Sequence, residues 1–269
     1  MVAICTPTNT HADLIEKYAR AGKVIFCEKP IDLDLNRVKS CLNVVAETKA
    51  QLMVGFNRRF DPHFKAVRDA IHMKKVGEVE QVIISSRDPG LPPMDYISVS
   101  GGLFRDMMIH DFDMARFLLD EEIESVYAIG SVLVDEEVAA RGDIDTAMAV
   151  LTTANGKQAH INCSRRAIYG YDQRVEVHGS KGMVQAHNPI PTMIEVANGE
   201  GYTSQPLHDF FMTRYTEAYA AEIAALIAAV NDGAPLTPNG EDGMIALALA
   251  EAANLSMKEK RAIKVSEVL

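Results

Sequence analysis

A glutamate, a lysine and a proline end an apolar run early in the chain, in the stretch VIFCEKP at residues 24–30. A buried strand avoids these residue types, so we expect the strand to open into a cleft at Glu28 and Lys29. An ammonium group there can stabilise negative charge on a substrate oxygen, because a site that excludes water strengthens the interaction. Pro30 fixes the turn and biases Lys29 toward an extended backbone, and the bond between them can be cis or trans.

A second group of reactive side chains lies in RDMMIHDFD, residues 105–113. In one continuous helix, Asp106, His110 and Asp113 share a face, because they are spaced i, i+4 and i+7. A carboxylate one turn from an imidazole can orient the ring and stabilise its protonated form, as a general base requires. A solvated helix face with an incidental pair is the alternative. A metal site is disfavoured, because zinc normally takes three or four protein ligands.

Polar residues follow three successive apolar runs: TPTNTH follows VAIC, EKP follows VIFC, and NRRFDP follows LMVGF. In an open α/β sheet, ligands bind outside the carboxyl ends of the strands. Ordinary loop polarity would explain any one of these segments, whereas three in a row favour a ligand site. The residues delivered to this edge are Thr6, Asn9, His11, Glu28, Lys29, Asn57, Arg58 and Arg59.

Tyrosines form a third group of candidates. Tyr169 and Tyr171 flank a glycine in AIYGYDQR, and Tyr215 and Tyr219 lie on a later helix pattern. These side chains fit strand or core packing as well as they fit ligand contact. Alone they assign no role.

The elements that must position these residues change in type along the chain. In residues 1–75, apolar runs alternate with helix patterns, which predicts βαβ units and a parallel, doubly wound sheet of the α/β class. From about residue 78, longer alternating segments with the turn signals NGK and GSKG predict a mostly antiparallel open sheet, typical of an α+β domain. Later helices are predicted at residues 100–120, 210–233 and 244–258.

Composition excludes several classes of protein. The formal charge of −10, without a Lys/Arg cluster, argues against a nucleic-acid or anionic-membrane partner. The four cysteines form no CxxC pair, so reduced thiols in a cytoplasm are the simplest interpretation, rather than a zinc site or a disulfide framework. No leader and no apolar run of about 18 residues is evident. We expect a cytoplasmic protein.

Taken in order, AICTPTNTH, VIFCEKP, GFNRRFDP and SGGLFRDMMIHDFDMARFLL resemble the Gfo/Idh/MocA family of nicotinamide-dependent sugar and polyol oxidoreductases. The resemblance covers essentially the whole chain and is strongest to the members that oxidise inositol. It implies a dinucleotide-binding (Rossmann) domain at residues 1–56 and a substrate-binding and oligomerisation domain at residues 57–269. It also implies NAD or NADP as cofactor, a polyol or sugar as substrate, and a homodimer or homotetramer formed through the open sheet.

The resemblance assigns roles residue by residue. The EKP lysine falls on Lys29, and the DxxxH pair falls on Asp106 and His110; these three are the catalytic candidates. In the family, the histidine removes the hydroxyl proton while hydride leaves the same carbon, and the lysine bonds the reacting oxygen. The cofactor candidates are Thr6, Pro7, Asn9, His11, Glu28 and Lys29. The substrate candidates are Lys29, Arg59, Asp106, His110 and Tyr171, and the expected reaction is oxidation of myo-inositol to scyllo-inosose.

One part of the family pattern is missing. No GxGxxG occurs, although the Rossmann fold begins with strand, GxGxxG and helix. In the strand order 3-2-1-4-5-6, VAIC would be the fourth strand and would lie beside the absent first one. We therefore expect a truncated domain that binds cofactor weakly, because the pyrophosphate has lost its helix N-terminus. The chain is then a full enzyme whose start is assigned too far downstream, a fragment of such an enzyme, or a natural truncation retained as a non-catalytic oligomerisation or sugar-binding scaffold.

Overall fold

The computed structural model describes all residues, Met1–Leu269, and its first part is a small parallel sheet. The strands lie in the order β1-β2-β3, and both pairs are parallel. Asp34 caps the second helix, since its side chain accepts from the backbone amides of Asn36 and Arg37. The elements are β1 Val2–Ile4, α1 His11–Arg20, β2 Ile25–Glu28, α2 Leu35–Thr48 and β3 Leu52–Gly55.

This sheet is buried on both faces, which explains its unbroken apolar runs. Ile15 of α1 and Val38 of α2 belong to the main core on one face. On the other face, Phe26 and Met53 pack with Leu226. The prediction of a parallel sheet with helices around it is confirmed.

The second sheet has seven strands and is mostly antiparallel, as predicted. Its strands are β4 Val79–Arg87, β5 Ile123–Ser131, β6 Thr146–Thr153, β7 Gln158–Ser164, β8 Asp172–Gly179, β9 Gly182–Ala186 and β12 Ile263–Lys264. They lie in the order β12-β5-β6-β7-β4-β8-β9, and only β4 and β7 pair in parallel. A separate hairpin is formed by β10 Glu195–Asn198 and β11 Gly201–Ser204.

Eight further helices follow in the chain. They are α3 Pro62–His72, α4 Met94–Ile97, α5 Leu103–Asp106, α6 Ile109–Leu119, α7 Glu136–Ala140, α8 Phe211–Arg214, α9 Thr216–Asp232 and α10 Gly240–Glu259. Of these, α3, α6 and α10 pack against strands of the second sheet. Helix α10 packs against both β3 and β5, so it joins the two sheets. The predicted domain boundary after residue 56 therefore stays a prediction. No helix combines the length and the apolar character that crossing a membrane would need.

The continuous helix predicted at residues 100–120 is wrong, because the segment forms two helices. Helix α5 ends at Asp106 and α6 begins at Ile109. At this junction the backbone amides of His110 and Asp111 donate to the carbonyl oxygens of Met107 and Met108, three residues back rather than four. The Asp106 carbonyl oxygen is thereby left without its helical partner and accepts from the Lys29 ammonium.

Candidate active site

A cavity of about 1470 Å³ is lined by residues that follow β1, β2, β3, β4 and β7. Every residue to which the resemblance assigned a catalytic, cofactor or substrate role lines this cavity except Arg59. The position agrees with the rule that ligands bind at the carboxyl ends of parallel strands. Lys29 and His110, which are 81 positions apart in sequence, are thus brought to one site.

Lys29 is held by the broken helix. Its Nζ donates to the Asp106 carbonyl oxygen at 2.7 Å and lies 3.6 Å from the Asp106 Oδ1 atom. The peptide bond between Lys29 and Pro30 is cis. The two contacts with Asp106 place the ammonium group at the end of α5.

The Asp106 carboxylate accepts hydrogen bonds from two side chains, neither of which is His110. The Tyr96 hydroxyl donates to Oδ1 at 2.8 Å, and Arg165 Nη2 donates to Oδ2 at 3.2 Å. Burial raises the pKa of Asp106, but Lys29 and Arg165 lower it by more, so the group is ionised at neutral pH. The prediction that Asp106 orients the His110 ring is wrong, because the helix break turns the two side chains to different partners.

His110 is a neutral imidazole with a free nitrogen. Its Nδ1 is buried and has no protein partner, and its ring meets Phe56 edge-on with the centroids 6.2 Å apart. Burial lowers the pKa of His110 well below its ordinary value, and the charges of Lys29 and Arg58 lower it further. The surroundings therefore favour the proton-accepting form, not the protonated form that the helix spacing suggested.

Arg59 does not line the cavity, so its position gives no support to the substrate role predicted for it. Its guanidinium pairs with Asp113 through bonds of 2.8 and 2.5 Å and with Asp242 at 3.0 Å. Arg58, its neighbour in the 3-10 turn Asn57–Phe60, points the other way, lines the cavity and forms a buried ion pair with Asp111. Asp113 is therefore structural as well.

Among the lining residues that the sequence analysis missed, Asp88, Arg165 and Tyr96 carry groups that ionise or contact Asp106. Asp88 and Arg165 follow β4 and β7, whose last residues Arg87 and Ser164 are paired in register. The strand-end rule that found Lys29 could have found both. Burial raises the pKa of Asp88 to about 6. Tyr96 lies on the short helix α4, and no pattern marks it.

Tyr171 lies where the resemblance predicted, in the cavity wall. Its ring meets those of Phe210 and Tyr215 edge-on, with both pairs of centroids 6.0 Å apart. Burial raises the pKa of Tyr171 well above its ordinary value, so the hydroxyl stays protonated. The Tyr215 hydroxyl is buried in the same wall without a partner.

Comparison with known proteins agrees with this geometry. Residues 1–56 match the model of an oxidoreductase family with an NAD-binding Rossmann fold, and residues 64–185 match the GFO/IDH/MocA C-terminal domain. The inositol 2-dehydrogenase of Rhizobium meliloti is 65% identical over 98% of this chain and 80% of the relative. The chain thus spans about four fifths of that relative's length.

Solved structures have the same fold. The myo-inositol dehydrogenase of Corynebacterium glutamicum has a TM-score of 0.94 and 43% identity, over 97% of this chain and 79% of that one. The scyllo-inositol dehydrogenase of Lactobacillus casei, crystallised with NAD(H) and scyllo-inositol, has a TM-score of 0.91 and 28% identity, over 98% of this chain and 80% of that one. The predicted fold class and NAD-type cofactor are confirmed, and the chain belongs to the Gfo/Idh/MocA family of oxidoreductases.

Proposed function

We propose that this chain oxidises one hydroxyl-bearing carbon of a polyol to a ketone with NAD as hydride acceptor. The polyol is myo-inositol and the product is scyllo-inosose. The observation that carries the proposal is the cavity that Lys29 and the His110 imidazole line together, within a family of NAD-binding oxidoreductases.

His110 is the general base. Its lowered pKa keeps the imidazole neutral at neutral pH, so a ring nitrogen can accept the hydroxyl proton. Lys29 and Arg58, the two cations that lower this pKa, also favour negative charge on an oxygen in the same cavity. Proton removal and charge stabilisation therefore have a common electrostatic cause.

Asp106 acts by holding Lys29. Its carbonyl oxygen and carboxylate both lie near the ammonium, and hydrogen bonds from Tyr96 and Arg165 fix the carboxylate. A lysine side chain has many rotamers, and this fixation removes the entropy that Lys29 would otherwise lose on binding substrate.

The cavity fits a nucleotide and a polyol together. Its volume of about 1470 Å³ exceeds that of a typical pocket for one ligand, roughly 300–1,000 Å³. Thr6, Pro7 and Asn9, after β1, would hold NAD, whose nicotinamide ring takes the hydride when bound. On the substrate side, the Asp88 carboxyl and the free Tyr215 hydroxyl offer partners for a ring of hydroxyl groups. The inositol names of the relatives support the same substrate class.

We also propose that the chain forms a homodimer or homotetramer through the open face of the second sheet. Large apolar side chains on this face are between 41% and 53% exposed, which is typical of an interaction surface. They are Ile83, Tyr127, Ile129, Met148 and Val150. Sedimentation equilibrium tests the assembly, and a monomer at micromolar concentration contradicts it.

A cytoplasmic location accords with four free cysteines.

The 269 residues contain no GxGxxG segment, and we propose that they bind NAD weakly by themselves. In a Rossmann fold this segment supplies the helix N-terminus that binds the pyrophosphate. Grafting the N-terminal segment of the Rhizobium meliloti relative onto residue 1 gives a chimaera that should reduce NAD with myo-inositol far faster than the 269 residues alone. If the 269 residues match the chimaera, this part of the proposal fails.

The catalytic proposal is tested in whichever of the two proteins is active. Lys29→Ala and His110→Ala should each lower kcat by about 10²- to 10⁴-fold, the usual range for a general acid or base. The exposed residues Lys65 and His187 provide the matched controls Lys65→Ala and His187→Ala, which should keep full turnover. Full turnover after both catalytic substitutions would overturn the assignment.

A further inference from the structure

Both ring nitrogens of His11 lie within hydrogen-bond distance of backbone carbonyl oxygens. The side chain is 1% exposed, its Nδ1 lies 2.8 Å from the Pro30 carbonyl oxygen, and its Nε2 lies 2.7 Å from the Thr6 carbonyl oxygen. Backbone carbonyl oxygens only accept hydrogen bonds, whereas a neutral imidazole has one donor nitrogen and one acceptor nitrogen. One tautomer can therefore satisfy only one of the two contacts.

A neutral ring would place a nitrogen lone pair against a carbonyl oxygen in a buried site. Rotating the ring by 180° does not satisfy both contacts either, since carbon atoms would then face the two oxygens. With a hydrogen on each nitrogen, both contacts become charge-assisted hydrogen bonds, which are roughly twice as strong as neutral ones. The ring also has an opposite charge nearby: burial raises the pKa of Glu28, while the charges of Lys29 and His11 act to lower it.

We propose that His11 is an imidazolium in the folded protein and is a positioning residue of the active site. Thr6 belongs to the loop after β1, and Pro30 follows Lys29 in the turn after β2. The charged ring ties these two loops together, so that the loop of Thr6 and Asn9 and the turn of Lys29 keep one relative position. The inference rests on the proposed role of Lys29, and it revises the direct cofactor contact predicted for His11, whose two nitrogens are already occupied.

Nitrogen-15 NMR of ring-labelled histidine tests the protonation state directly. In the wild-type chain at pH 7.5, through-bond spectra should show a hydrogen on both nitrogens of His11. The ring signals of His187, which is exposed, serve as the comparison. A His11 nitrogen without a hydrogen overturns the proposal. The experiment needs neither NAD nor turnover, so it is independent of the proposed reaction.

Lysine acetylation followed by mass spectrometry tests the positioning role. The Lys29 amine is 2.7 Å from its carbonyl acceptor, and loosening of the turn should expose it to acetic anhydride. His11→Gln should raise the acetylation rate of Lys29 about fivefold or more relative to the other lysines, whereas His187→Gln should leave it unchanged. An unchanged Lys29 rate in a folded His11→Gln protein overturns the positioning role. If His11→Gln does not fold, the wild-type NMR result still decides the proposal.

Discussion

The buried carboxyl group of Glu222 should make the stability of this protein depend on pH. Glu222 lies on α9, is 0% exposed, and neither of its carboxyl oxygens has a hydrogen-bond partner. Burial, and to a smaller extent the charge of Glu28, raise the pKa of Glu222 from 4.5 to about 8. The folded protein therefore holds a proton that the unfolded chain releases at a much lower pH.

The sign and size follow from linkage. A group with a raised pKa contributes stability that is fully present below the unfolded value and is lost as pH rises through the folded value. Between these values the loss is about 1.4 kcal/mol per pH unit. From pH 5.5 to pH 8.5, Glu222 should thus lower the free energy of unfolding by roughly 3 kcal/mol.

Urea denaturation of wild type and Glu222→Gln at the two pH values measures this loss. The glutamine does not titrate, so its stability relative to wild type should increase by roughly 3 kcal/mol from pH 5.5 to pH 8.5. Comparing the two pH values cancels the constant cost of burying an unpaired amide. Glu217→Gln, an exposed change on the same helix, should show no such increase. A pH-independent difference between Glu222→Gln and wild type would refute the reasoning.

Three further predictions concern the site. Tyr96→Phe removes a donor to Asp106 and should lower kcat about tenfold, whereas Tyr127→Phe on the open sheet face should not. Arg59→Met leaves a buried carboxylate unpaired and should destabilise the fold by about 3 kcal/mol in urea melts; a raised KM for the polyol would instead support the substrate role predicted from the sequence. His110 must be neutral to act, and its pKa is lowered well below the ordinary value of about 6.5. As the pH is lowered, kcat/KM should therefore begin to fall only at a pH below about 6.5. The NMR titration of His110 should move to higher pH in Lys29→Met, and no movement would contradict the electrostatic account.

The sequence predicted the strand-end residues well, because their convergence follows from a general property of parallel sheets. Any polar residue after β1, β2 or β3 is carried to one edge, whatever its neighbours do. Lys29 and Thr6 were found in this way. Applied to β4 and β7, which pair in parallel despite lying in a mostly antiparallel sheet, the same rule would have found Asp88 and Arg165. The parallel pairing itself could not be read from alternation of polar and apolar residues.

The other predictions that differ from the structure concern places where the backbone changes direction over one or two residues. Helical spacing placed Asp106 beside His110, but the helix is interrupted at Met107 and Met108, both of which are buried in the core. A 3-10 turn gives adjacent arginines opposite surroundings, so Arg58 meets the cavity and Arg59 meets Asp113. Such local choices depend on tertiary contacts, which a periodic pattern does not encode.

The gap between α5 and α6 has a consequence for mutational tolerance. The oxygen nearest the Lys29 ammonium belongs to the main chain of Asp106, so no replacement of that side chain can delete it. Charge around the lysine can therefore be altered during evolution while the lysine stays anchored. Substitutions that restored a continuous helix at residues 107–108 would instead release the lysine, because the Asp106 carbonyl oxygen would again accept a hydrogen bond within the helix.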